Sequence, residues 1–363
     1  MANELEIKTR RLISVLNENA LDAVLINAQH NFAWLTGGRT NGIDLSRENG
    51  AASLLVTAAG NRYLLANNIE MPRMLAEEIA IDEFEPIEYR WQDEKTDANY
   101  VIDRATLIAG GKVVSDYAFE GKLAKCRYRL TSDETQRIRS LGTDAAGAFG
   151  NVVLRISPGQ SEFEIAEILR HEFAAAKMTS VVTLVAADDR IAGFRHPIPT
   201  ANKWKKTLLL VTCAKRNGLI VSLSRIVCSG EVPHDLKRKT DATAYVNSCF
   251  QDATRPGRSG AELYAVAAAA YADQGFADEI DRHHQGGAAG YKTREWVAHP
   301  QCDETVQLDQ AFAWNPSITG TKVEDTCLVT ENGVEILTPS PEFPQIRSNV
   351  NGREYFSHGI MTI

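Results

Sequence analysis

The two apolar segments that flank Asn217-Gly218 constrain this chain more than any other stretch. TLLLVTCA (207–214) and LIVSLSRIV (219–227) are rich in residues that favour strands, and Asn-Gly is a preferred pair for a two-residue hairpin turn. With that turn, Arg216 faces Leu219, Cys213 faces Ser222 and Val211 faces Ser224. Val211, Cys213, Ser222 and Ser224 therefore share one face of the pair. That face contains no carboxylate.

The 363 residues suit two domains of unequal size. Helical spacing over 4–19 is followed by a strand at 21–26 and by a strand pair, 52–57 and 62–67, around Ala-Gly-Asn. This alternation predicts an α/β domain with a mixed sheet. Near 130–140 the sequence becomes polar and helix-starting, with Ser132 as the expected N-cap, which divides the chain into domains 1–130 and 131–363. A long helix over about 133–156 opens the second domain. After Pro158-Gly159, Ser161 and Glu164 form a capping box for a helix whose Ile165, Ile168, Leu169 and Phe173 share a face. Strands at TSVVTLVA and near 283–296, 310–319, 322–330 and 333–338, with an alanine-rich helix at about 260–275, complete the reading.

A formal charge of −8 and the absence of a long Lys/Arg block argue against nucleic-acid or anionic-membrane partners. MANELEIKTRR lacks the apolar core of a signal peptide, and no run of about 18 apolar residues is present to span a membrane. The six cysteines form no CxxC pair and read as reduced, buried residues of a cytoplasmic protein.

SPGQSEFEI, HPIPT, RNGLIVSLSR, HHQGGAAGYKTRE, WNP and KVEDTCLVTENGVEIL occur in this order. The series resembles the pita-bread fold family, which includes creatinase, prolidase, aminopeptidase P and methionine aminopeptidase. HNFAWLTGGR extends the resemblance into the N-terminal domain of the creatinase and prolidase branch. It implies an α/β N-terminal domain followed by an α+β domain with a curved, mainly antiparallel sheet.

Peptidases of this family bind two metal ions through two aspartates, one histidine and two glutamates. The matching positions here are Val211, Ser222, Gly287, Asn315 and Glu324, so only Glu324 is retained. His283 and His284 are adjacent on an expected strand and should point to opposite faces, which prevents them from sharing an ion. The expectation is a protein without metal or cofactor.

The glycine-rich segment most resembles creatinase, which hydrolyses a C–N bond without metal. That resemblance implies His196 as proton shuttle and Glu324 as the group that orients it, a water or a substrate amine. Ser222, Ser224 and Asn315 are expected to hydrogen-bond an uncharged amide, with His284 and Gln285 beside the glycines. Arg225, with Lys292 and Arg294 on one strand face, is expected to bind a carboxylate. The implied activity is metal-independent, creatinase-like hydrolysis of a small carboxylate-bearing C–N compound. The implied assembly is a homodimer in which Arg39 or Arg47 reaches the partner subunit's site. A lyase, a non-catalytic binding module and an Xaa-Pro-type metallopeptidase are the alternatives on the same scaffold.

Overall fold

A computed structural model of the chain describes residues 3–363. Its contacts divide it into one unit up to Arg127 and another from Tyr128.

In the first unit, helix Glu4–Glu18 begins where the Asn3 side chain accepts the Glu6 N–H at 2.9 Å, and it buries Leu12, Val15 and Leu16. Strands Ala23–Ala28, Asn49–Thr57 and Arg62–Asn67 pair antiparallel. Glu85–Tyr89 and Val113–Ser115 join the two edges in parallel, so the five-stranded sheet is mixed, as the alternating pattern predicts.

Helix Ser132–Arg155 opens the second unit. Its N-cap is Thr131 rather than the expected Ser132: the Thr131 hydroxyl accepts the Glu134 N–H, and the Glu134 carboxylate accepts the Thr131 N–H at 2.7 Å. That reciprocal pair needs a three-residue spacing to an acid, which Ser132 lacks. Ser161 and Glu164 cap helix Glu162–Ala175 in the same way. Its Ile165, Leu169 and Phe173 are buried, each contributing about 1.5–3 kcal/mol of apolar transfer, while Ile168 is only partly covered.

Strands Thr207–Arg216 and Leu219–Cys228 form the expected hairpin. Asn217 and Gly218 both take positive φ (51° and 78°), as a mirror-image two-residue turn requires. The register is the predicted one, with Cys213 opposite Ser222 and Val211 opposite Ser224. Thr179–Ala187 adds antiparallel on one side and Ile360–Thr362 parallel on the other. A second sheet, antiparallel throughout, runs in the order Trp296–Val297, Gly286–Ala289, Ala311–Trp314, Asp325–Thr330, Gly333–Ile336.

The two sheets meet where Ser224 N–H donates to the Glu324 carbonyl (3.1 Å) and Ser222 N–H to the Thr326 hydroxyl (2.7 Å). This junction places the hairpin's Ser222 and Ser224 against Glu324. Helices His234–Ala253 and Gly260–Asp273 pack together, and strands Gln345–Val350 and Arg353–His358 cover the first of them. No helix among the described residues is long and apolar enough to cross a membrane.

Candidate active site

Glu324 is the centre of the junction. It is 2% exposed, and its carboxylate accepts from the Ser224 hydroxyl at 2.5 Å and from Arg294 Nη2 at 3.1 Å, with Lys322 Nζ at 3.3 Å. Burial pushes its carboxyl up, but Lys322, Arg294 and the Ser224 bond outweigh that and hold it below the ordinary glutamate value. Ser222 is fully buried beneath Arg294, accepting from Nη1 at 3.4 Å and donating to Cys213 Sγ at 3.2 Å. Burial raises the Cys213 thiol, which disfavours the thiolate a nucleophile would need.

His196 sits on the loop after the short helix Asp189–Gly193, and that loop is pinned to the start of helix Glu162–Ala175. The buried Glu162 carboxylate accepts the backbone N–H groups of Ala187 and Thr200, both at 2.9 Å, and it pairs with Arg190. Arg195 bonds both Glu279 and the Thr319 hydroxyl, which ties the same loop to the turn Ala277–Arg282 that precedes His283. The result corrects the expectation for the adjacent histidines. The strand begins only at Gly286, so His283 and His284 lie in the extended link before it and are not held to alternate faces. Both turn toward His196. The ligand nitrogens of the three imidazoles lie within 4.8 Å of one another, and His283 Nε2 is 3.1 Å from His196 Nε2.

Burial first, and then the nearby Lys322, lower the His196 pKa, against the opposing pull of Glu324. Burial and then Arg294 lower His284 to about 4, and burial and then Lys322 lower His283 to about 2. All three shifts favour the neutral imidazole.

Other expected contacts are placed elsewhere. Arg225 is 2% exposed and spends its guanidinium on the protein: Asp325 (2.8 Å), the Thr338, Ser224 and Glu324 carbonyls, and the Ser340 hydroxyl. With its donors satisfied by buried acceptors, it is not the anion contact it was expected to be. Gln285 is fully buried. It accepts from the Tyr271 hydroxyl at 2.7 Å and donates to the His283 and Ile280 carbonyls, so it braces the link before the strand instead of facing a ligand. Lys292 and Arg294 lie in the bend between two short strands, and the shared-face argument for them fails because no strand is there. Asp325, next to Glu324 in the chain, pairs with Arg225 and with His358 Nδ1 at 3.0 Å.

Asn315 is buried, and its Oδ1 has no hydrogen-bond partner among the described residues; the same holds for Arg294 Nε. In the other unit, Arg39 pairs with Glu83, and the exposed Arg47 is 3.2 Å from Asp44. Lys322, His283 and the Arg195–Glu279 tie were absent from the expected site. Their only sequence signal is adjacency to Glu324, His284 and His196.

Residues 136–331 match the model of metallopeptidase family M24, and residues 8–116 match that of the creatinase/prolidase N-terminal domain. The chain belongs to metallopeptidase family M24. It is 21% identical to an Xaa-Pro dipeptidase of Pyrococcus horikoshii, over 91% of this chain and 96% of that protein. Its fold resembles that of an Xaa-Pro dipeptidase from Bacillus anthracis (TM-score 0.77, 18% identity, 99% and 100% of the two chains). It also resembles the N-terminal domain of a FACT complex subunit from chickpea, Cicer arietinum (TM-score 0.69, 11% identity, 93% and 97%). The fold is an N-terminal α/β domain followed by a pita-bread domain.

The paired ions of the metallopeptidases do not fit the donors here. Val211 offers no ligand atom. A Cβ added at Gly287 would lie 2.1 Å from the Trp296 carbonyl oxygen, so the backbone of the neighbouring strand fills the place a histidine side chain would enter. The retained Glu324 is already engaged by two cations, Arg294 and Lys322. Hard divalent ions need several free carboxylates, and the described residues provide none at this junction.

Proposed function

We propose that the chain hydrolyses a C–N bond in a small amide or peptide-like compound bearing a carboxylate, without the paired ions of its metallopeptidase relatives. The observation that carries this reading is an exposed His196, its pKa lowered by burial, beside a group that holds two cations against one carboxylate. A neutral imidazole accepts a proton. The surplus positive charge favours an anionic end on the substrate.

In this reading His196 takes a proton from water as the water oxygen attacks the carbonyl carbon. It returns the proton to the leaving nitrogen as the C–N bond breaks, giving an acid and an amine. Arg294 and Lys322 hold the carboxylate, Glu324 orients them, and the unpartnered Asn315 Oδ1 is available to accept an N–H from the substrate. The Xaa-Pro dipeptidase names of the relatives point to short peptides as the first substrates to try. The working unit we propose is a homodimer, which analytical ultracentrifugation reads directly.

The test is turnover of carboxylated amides, ureas, guanidines and dipeptides with chelator present. His196→Ala is expected to lower kcat by about 10²–10⁴-fold with KM nearly unchanged, as for loss of a general acid/base. Full turnover in that variant overturns the assignment. Absence of turnover in the unaltered chain, with ligand-dependent thermal stabilisation retained, would replace it by the binding-module reading.

A further inference from the structure

We infer that His196, His283 and His284 form a site for a single borderline divalent ion of the first transition series, separate from the residues that bind metal in the family. Ligand type is the first argument. Imidazole suits zinc, copper, nickel and cobalt, whereas magnesium and calcium demand oxygen ligands that this cluster lacks.

Geometry is the second. In a tetrahedral ion with metal–nitrogen bonds of about 2.0–2.1 Å, neighbouring nitrogens lie about 3.3 Å apart. His283 Nε2 and His196 Nε2 are 3.1 Å apart, and no nitrogen of the set is beyond 4.8 Å from another. The two edges that involve His284 are bounded by the same 4.8 Å, so His284 is the ligand that must draw in when an ion binds.

Support from neighbouring groups is the third. His283 Nδ1 lies 3.4 Å from the buried Ser317 hydroxyl, which can accept its N–H in the tautomer that leaves the Nε2 lone pair toward His196 for an ion. The Arg195 tie to Glu279 and Thr319 holds the two backbone segments that carry the histidines. His196 and His284 are exposed, so an ion can enter and water can occupy its remaining position.

Charge opposes the site in part. Lys322 and Arg294 lie near the imidazoles, and Glu324 offsets only one of them. The balance disfavours hard ions, which bind through charge alone, more than ions that gain from nitrogen donation. A bound ion also takes the His196 lone pair. The metal-loaded chain is therefore expected to be inactive, and this one consequence rests on the hydrolase reading above.

The experiment titrates Co²⁺ into untagged, chelator-stripped full-length protein and follows ligand-field absorption, with native mass spectrometry for stoichiometry. The expected result is saturation at one ion per chain, loss of the band in His283→Gln and in His196→Gln, and retention in the exposed control His234→Ala. Ser317→Ala should weaken binding about tenfold, as loss of an outer-shell partner does. Thermal unfolding of each apo variant separates a lost ligand from a lost fold. Failure to bind Co²⁺, or binding that survives His283→Gln but not Glu324→Gln, overturns the site. If the ion binds as expected and hydrolysis persists in the loaded protein, the site stands and the acid/base role of His196 fails.

Discussion

Glu324 and Asp325 are neighbours in the chain, yet they belong to networks of opposite kind. Asp325 lies in a closed one: Arg225, His358 and the Thr338 hydroxyl surround it, and the arginine's donors are met by protein acceptors. Glu324 lies in an open one. Its partners Arg294 and Lys322 carry more charge than it cancels, Arg294 Nε and Asn315 Oδ1 are unpartnered among the described residues, and His196 and His284 beyond them are exposed. Buried polar groups are ordinarily satisfied, so a closed network reads as structure and an open one as a site that awaits a ligand.

Stability should separate the two networks. Arg225→Ala leaves Asp325 as a buried, half-paired charge and is expected to cost about 3–5 kcal/mol in denaturant unfolding. A loss below about 1 kcal/mol, the worth of an exposed ion pair, would show that the network is not closed.

The acid limb gives a second, smaller contrast. Burial pushes the Asp325 carboxyl up, but Arg225 and then His358 outweigh it, so its pKa falls from 3.8 to about 2. A depressed acid contributes stability that is present above its unfolded value and lost as pH falls through its folded one. Asp325 should therefore contribute about 2 kcal/mol above pH 4, disappearing between about pH 4 and 2. Asp325→Asn should flatten that segment of the stability–pH curve, and an unchanged curve would remove Asp325 from the account.

Gly287→Ala tests the blocked ligand position. The added methyl meets the Trp296 carbonyl at 2.1 Å, and overpacking of this kind costs about 1–3 kcal/mol. A neutral substitution would mean that the strand can yield and that a histidine could be restored there. His284→Ala, at an exposed position on the open side, should change stability by no more than about 0.5 kcal/mol. A larger loss would make the histidine cluster a structural element.

Much of this architecture was legible in local signals. The Asn217-Gly218 turn set a register that placed Ser222 and Ser224 on one face, because side chains alternate along a strand and the turn length leaves no slack. The capping box at Ser161 and the apolar spacing behind it located a helix for similar reasons. The helix His234–Ala253 and the strands after residue 344 had no such signature; they are held by packing against elements distant in sequence.

That the side chains of Val211 and Gly287 offer no ligand atom was written in residue identity alone. Which cations remain free was not. Arg225 and Arg294 read alike in the sequence. The tertiary structure surrounds the first with acceptors from two other segments and leaves the second short of one. The convergence of His196 with His283 and His284 was equally a tertiary decision. It depends on where a strand begins and on a salt bridge between loops, and neither is a property of the residues that converge.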